Sequence, residues 1–336
     1  MKAFVTGGTG FVGSHLIESL CAAGVPLRAL VRSAAAGAAI TATGAETHVG
    51  DLDHAETLAG ACDGCDVVFH AAARVDIAGS SDEFNRTTVA GTAALLDAAR
   101  RAGARRFVHV SSCAVWHPDQ FRADVLTEET PPRTPPRWSR YGRSKLAAEQ
   151  LVREAAPPPH EWTIVRLGWV YGPRNRSYQQ YYAPMLRARA LRLVGRGDNP
   201  LAMIHVRDVV AVLCRAAEAP AAAGRVLIAA NPEPVTQRQF LDALADGLDA
   251  PRVTSSVPYR IAFGIAALCE WFRFAPFQGG FNRNAIALSG LPQRIDCTAT
   301  QRLLDWRPQI PFATGAAETI QWLRESRPGG SDAACQ

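Results

Sequence analysis

Short, continuously apolar runs alternate with amphipathic stretches through the first half of the chain. Lys2–Val5, Leu27–Val31, Val67–His70, Phe107–Ser111 and Thr163–Leu167 read as strands, and a further strand ends at Gly50-Asp51-Leu52. Apolarity at every position, rather than at alternate ones, predicts strands buried on both faces and hence a parallel sheet. Between them, Ser14–Ala23 puts Leu16, Ile17, Leu20 and Cys21 on one helical face and stops at Gly24. Thr87–Ala102, rich in alanine and leucine, ends at Gly103, and Tyr141–Ala155 is stopped by Pro157–Pro159. This alternation predicts an α/β fold with a doubly wound parallel sheet and a smaller C-terminal region. The prolines of Thr130–Trp138 mark an irregular loop. The expected organisation is a dinucleotide-binding domain over 1–172, to which segments near 203–230 return, a mainly substrate-binding region over 173–326, and a disordered tail over 327–336.

Composition narrows the class. The chain has 336 residues, 48% of them hydrophobic and 20% charged, which fits a globular enzyme with a large core. The net charge of +5 comes from dispersed arginines with no basic block, so no nucleic-acid partner is expected. No leader pattern follows Met1, and Ile261–Phe272 is too short to span a bilayer, so a cytoplasmic enzyme is expected. The eight cysteines are scattered, and Cys62 and Cys65 lack the second pair a zinc site needs. Free thiols and no bound metal are expected.

The chemistry starts at the first strand–helix turn. Thr6-Gly7-Gly8-Thr9-Gly10-Phe11-Val12-Gly13 places glycines at 7, 10 and 13 between a strand and a helix. Glycine is needed there for a tight turn, for close approach to a diphosphate and for strand–helix packing. Strand, glycine turn and helix together make a Rossmann-type fold the expectation, with the phosphates at the helix N-terminus. The second strand ends Val31-Arg32-Ser33 with no acidic residue for a ribose 2′-hydroxyl. Arg32 and Ser33 could instead grip a 2′-phosphate, which favours NADP(H) over NAD(H); Arg28 is a second candidate. Asp51 is placed to accept from an adenine amino group, with Leu52 packed on the ring. His70-Ala71-Ala72-Ala73 leaves room for cofactor backbone. No second ligand accompanies His70 as a metal site.

Tyr141-Gly142-Arg143-Ser144-Lys145 sets a phenol and an ammonium one helical turn apart. A cation beside a phenol favours the phenolate, so Tyr141 is expected to have a lowered pKa and to exchange a proton with a carbonyl or alcohol oxygen. Ser112, at the end of the fifth strand, would hydrogen-bond that oxygen.

These motifs resemble the extended short-chain dehydrogenase/reductase superfamily, in its NAD-dependent epimerase/dehydratase group and 3β-hydroxysteroid dehydrogenase-like branch. Arg166-Leu-Gly-Trp-Val-Tyr171-Gly172-Pro173, His205-Val206-Arg207-Asp208, Thr236–Leu244 and the Leu-Asp-Trp-Arg-Pro ending of Asp296–Pro308 extend the resemblance over nearly the whole chain. It implies Ser112, Tyr141 and Lys145 as the catalytic set. It implies Thr6, Gly7, Gly10, Phe11, Val12, Gly13, Asp51, His70, Ala71, Ala72 and Leu167 as cofactor contacts, joined by Tyr141 and Lys145. A homodimer through the Thr87–Ala102 and Tyr141–Ala155 helices is also implied. Three positions depart from the group's pattern: Thr88 for asparagine, Leu167 for proline and Trp116 for tyrosine.

The substrate reading is apolar. Leu201 stands where sugar-nucleotide enzymes of the group carry a diphosphate-binding arginine, and only Arg196 could substitute. Cys113 and Ala114 follow Ser112 where the dehydratases carry an acidic pair. Trp169, Tyr178, Tyr181, Tyr182, Met185 and the stretch Tyr259–Phe281 could line a lipophilic pocket. That stretch reads equally as a core helix, and Ile261–Phe274 as a weak peripheral membrane contact. The expectation is an NADP(H)-dependent oxidoreductase interconverting a ketone and a secondary alcohol on a sterol-like or natural-product-like molecule. The alternatives are a sugar-nucleotide epimerase with tightly bound NAD and a non-enzymatic dinucleotide-sensing protein.

Overall fold

A computed structural model of the chain describes residues 1–75, 79–123, 125–155, 161–272 and 282–326. The Pro157–Pro159 helix stop, the tail 327–336 and the part of the Tyr259–Phe281 stretch beyond Phe272 lie outside the described residues. Seven parallel strands form one sheet: β1 (Ala3–Thr6), β2 (Leu27–Val31), β3 (Glu46–Val49), β4 (Val67–His70), β5 (Arg106–Ser112), β6 (Glu161–Leu167) and β7 (Arg225–Ala229). Their spatial order is β7-β6-β5-β4-β1-β2-β3. β1 pairs with β2 on one side and β4 on the other, so the winding reverses there and a crevice opens at the strands' carboxyl ends.

Every residue of β1 and β4 is buried, as continuous apolar runs require. Alternate side chains serve opposite faces. Val5, Phe69, Val108 and Val165 pack under α1 (Phe11–Ala22) and α5 (Val206–Glu218), while Phe4, Val68, Phe107 and Ile164 pack under α3 (Gly91–Arg101) and α4 (Arg140–Glu154). Each such side chain contributes about 1.5–3 kcal/mol by leaving water. α2 (Ala34–Thr41) follows β2. The Thr87–Ala102 helix of the sequence reading is in two parts, because Asn85–Ala90 forms a widened π-type turn before α3. Thr88 lies in it, buried, its Oγ1 accepting from the Arg74 amide at 3.2 Å and its carbonyl accepting from the Thr92 hydroxyl. It therefore tightens the turn after β4.

Beyond residue 172 a third core forms around Tyr171, Tyr178, Leu186, Leu193, Leu201 and Phe240. Here the pocket expectation is corrected for Tyr178. Trp169 and Tyr182 set their rings 5.9 and 5.5 Å from Phe240, and Tyr178 is fully buried. Tyr178 fills a core, and Trp169 and Tyr182, half-buried, pack against it. α6 (Tyr259–Phe272) and α7 (Arg283–Gly290) pack as a pair beside it.

Candidate active site

The glycine turn brings the start of α1 against the end of β1. A Cβ on Gly13 would sit 2.1 Å from the Gly7 carbonyl oxygen, so only glycine allows that packing. Gly10 is the N-cap, and no side chain caps the helix and no carboxylate lies in its first turn. The first-turn amides of α1, next to the partly exposed Phe11 and Val12, are thus donors fit for a diphosphate. Thr6 ties this turn to its neighbour: its Oγ1 accepts from the Ala72 amide at 3.2 Å and lies 2.8 Å from His70 Nδ1. His70 Nε2 is 2.9 Å from Thr92 Oγ1, and burial depresses the imidazole pKa to about 3. His70 is a neutral strut that holds the Ala71–Ala72 turn.

Arg32 and Ser33 sit at the exposed end of β2. Ser33 Oγ accepts from the Ala36 amide at 3.2 Å and caps α2, and Arg32 has no ion-pair partner among the described residues. Arg28 is not a cofactor candidate, because it is spent on Glu46 at 3.0 Å and on the Ala61 carbonyl at 3.0 Å. Asp51 is half-buried, one oxygen accepting from the Asp53 amide at 3.0 Å. Leu52 is buried beside it in the core under α3.

Ser112 ends β5 directly opposite Leu167 on β6. Its Oγ accepts from the Ala114 amide at 3.1 Å, opening the tight turn Cys113–Val115. α4 presses on that turn: a Cβ on Gly142 would lie 2.3 Å from the Ala114 carbonyl oxygen. The closeness places Tyr141, in the first turn of α4, against Ser112, whose hydroxyl is the phenol's hydrogen-bond partner.

One expectation is overturned here. Burial pushes the Tyr141 phenol above its usual pKa, and the Ser112 hydrogen bond only partly opposes the rise. The Lys145 ammonium is buried, donating to the Val110 carbonyl at 2.7 Å and lying 3.2 Å from His109 Nε2. Burial lowers its own pKa to about 8, with Glu149 opposing. At neutral pH the phenol therefore keeps its proton and the ammonium its charge.

A buried ion pair lies beneath. Arg166 donates to both Glu149 oxygens, Nε–Oε1 at 3.0 Å and Nη2–Oε2 at 2.8 Å, and Ser111 donates to Oε1 at 2.6 Å. The guanidinium also lies 4.9 Å from the Trp116 ring centroid. Trp116, only 1% exposed, presents its face to Arg166 and its edge to Phe121.

Next to Ser112 a small cleft is lined by Ala114, Trp116, Phe121, Ala287, Leu288 and Leu291, with one polar pair, Ser139 Oγ donating to Asn284 Oδ1 at 3.1 Å. Sequence reasoning missed His109, Glu149 and Asn284. The signals were a histidine inside an apolar strand and a glutamate on the helix face that carries Lys145; Asn284 gave none. α6 sends only Ala262 and Ala266 into the interior, with Phe263 against Trp138 at 5.4 Å, so it is neither a full core helix nor a pocket wall. Leu201 is buried, and Arg196 is exposed and paired with Asp198 at 2.8 Å, so neither offers a cation to a sugar diphosphate. Cys62 and Cys65 are buried free thiols, Cys62 pushed up to about 12 by burial.

Comparison with known proteins shows the family and the fold. Residues 3–229 match the NAD dependent epimerase/dehydratase family. The 4-hydroxy-2-methyl-3-oxo-4-farnesyl-3,4-dihydroquinoline-1-oxide ketoreductase of Stigmatella aurantiaca is 32% identical, over 99% of this chain and 98% of its own. The 2-alkyl-3-oxoalkanoate reductase of Stenotrophomonas maltophilia (strain K279a) is 30% identical, over 80% and 82%. Among solved structures, MoeE5 in complex with UDP-glucose and NAD aligns with a TM-score of 0.75 at 25% identity, over 97% of this chain and 99% of that one.

Proposed function

The chain belongs to the NAD dependent epimerase/dehydratase family, and from that premise we propose that it is an NADP(H)-dependent reductase of a ketone on an apolar small molecule. The observation that supports the reading is the Tyr141 phenol beside Ser112, raised in pKa by burial and so held protonated, with a small apolar hollow at Ala114 and Trp116 a few residues along the chain. A reductase needs an acid at that place. Tyr141 gives its proton to the substrate oxygen while Ser112 donates a hydrogen bond to the same atom. A bound nicotinamide supplies the hydride. The uncapped start of α1 would hold the diphosphate, and Arg32 with the Ser33-capped start of α2 a 2′-phosphate. Lys145, one turn along α4 from Tyr141, is the cation that would fix the nicotinamide ribose. The segment beyond residue 172 supplies the cleft's outer wall through α7. A homodimer through α3 and α4, and the reducing cytoplasm for its free thiols, complete the proposal.

The sugar-nucleotide epimerase reading draws support from the likeness to MoeE5, and one experiment separates the two. NADPH and NADH are titrated by fluorescence, then consumption of reduced cofactor is followed over a panel of apolar ketones. Net oxidation of NADPH supports the reductase. Release of tightly held NAD on denaturation, with no net oxidation, supports the epimerase.

Two outcomes follow from charge. Arg32→Ala is expected to weaken NADPH about 10- to 100-fold, the value of one or two charge-assisted hydrogen bonds, and to leave NADH nearly unchanged; comparative titration checks this. Lys145 is needed as a cation, a form present below its pKa of about 8 and lost as pH rises through it. The kcat/KM for ketone reduction is therefore expected to fall above about pH 8. In Lys145→Arg, always charged, that limb moves beyond the accessible range.

A further inference from the structure

The exposed face of α6 is apolar over most of its length, with polar side chains exposed only near the helix ends, at Arg260 and Glu270. Ile261 is 54% exposed, Ile265 42%, Leu268 59% and Trp271 82%. The first three fall on one helical stripe, with Trp271 continuing it at the C-terminal end, while Ala262 and Ala266 face inward. The remaining exposed large apolar side chains outside this helix are scattered singly over the described residues. The stripe is bordered by positive charge. Glu270 is paired with Arg283 at 2.6 Å, and the Asp119 carboxylate, with only the His117 ring 3.6 Å away, is among the described residues the one acidic group set against the arginines near Tyr259. Arg260 is exposed, Arg122 lies 4.8 Å from the Tyr259 ring centroid, and neither has a carboxylate partner among the described residues.

We propose that this face of α6 docks on the surface of an anionic lipid bilayer. Apolar side chains beside arginines suit the boundary between acyl chains and anionic headgroups, and an exposed tryptophan suits the same depth. The opposite side of the helix pair gives the arrangement a use. Phe263 packs on Trp138, and α7 carries Ala287 and Leu288 into the cleft beside Ser139. The α6–α7 pair thus lies between the bilayer and the cleft. A ketone dissolved in lipid would reach Tyr141 without crossing open water. In that use the inference rests on the apolar-ketone reading, but the docking itself does not need it.

The test is sedimentation of the full chain with vesicles of phosphatidylcholine and phosphatidylglycerol. Wild type is expected to pellet with the vesicles. The Leu268→Asp/Trp271→Asp double variant, whose side chains stand in solvent, is expected to lose at least about tenfold in the bound-to-free ratio. Its rate on a short water-soluble ketone should equal that of wild type. Docking is overturned if wild type stays in the supernatant, or if the double variant pellets as wild type does. It is equally overturned if the substitutions leave pelleting intact and change only the oligomeric state on gel filtration, because the face would then meet a second copy. Vesicle binding without reduction of any ketone removes the reductase reading and leaves the docking. Reduction without binding does the reverse.

Discussion

Tyr141→Phe is expected to lower ketone turnover by about 10²–10⁴-fold while NADPH still quenches or enhances fluorescence as in wild type. The factor is the usual contribution of a positioned proton donor. The substitution removes one oxygen and keeps the ring, so α4 stays seated on the Ala114 carbonyl through Gly142. The Ser112 hydroxyl keeps its bond from the Ala114 amide. What is lost is the proton that burial holds on the phenol. Measured kcat should fall with little change in KM, since the missing interaction belongs to the proton-transfer step. Retained turnover would remove Tyr141 from the mechanism and with it the functional reading.

Glu149→Leu is expected to destabilise the fold by about 3–5 kcal/mol, measured by chemical denaturation with the midpoint and slope fitted together. Both partners of the Arg166–Glu149 pair are about 1% exposed, so the substitution leaves a guanidinium buried without its counter-charge. It also leaves the Ser111 hydroxyl without an acceptor. The double variant Glu149→Leu/Arg166→Met should recover most of the loss, because replacing both charges removes the desolvation cost along with the attraction. Lys145 would report the change too: the Glu149 charge opposes the fall in its pKa, so its removal should move the alkaline limb of activity to lower pH.

The sheet was legible because its signal is local. Leu27–Val31 and Val67–His70 occupy the ranges their apolar runs mark, the first, fifth and sixth strands differ by a residue or two at their ends, the third stops at Val49 short of Gly50-Asp51-Leu52, and β7 was not read as a strand. The glycine turn was legible for a similar reason, since a strand, three spaced glycines and a helix are all contiguous in sequence. The wider turn at Asn85–Ala90 was not, because a π-type turn has no periodicity distinct from an ordinary helix. The Tyr141–Lys145 spacing was correctly read as one helical turn, yet the inferred charge effect was wrong. Helical spacing sets Cα separation and says nothing of which acceptor a long side chain chooses. Val110 and His109, brought in by a strand some 35 residues earlier, decided where the ammonium went. Tyr178 failed as a pocket residue on the same ground: its partner, Phe240, lies far along the chain.

The seventh strand has a consequence for biosynthesis. β7 closes the sheet on β6, in register from Thr163 to Leu167, only after more than fifty intervening residues have been made. Until Arg225–Ala229 leaves the ribosome, the nascent sheet ends in β6, which has one edge paired with β5 and the other open, the kind of border that recruits other chains. A polypeptide cut after Gly172 would keep the glycine turn, Ser112, Tyr141 and Lys145, and would be sticky. The helix α5 that covers α1's face of the sheet would be missing as well. The nucleotide-binding half is contiguous as a reading of motifs, but as a folding unit it has to wait for its neighbour.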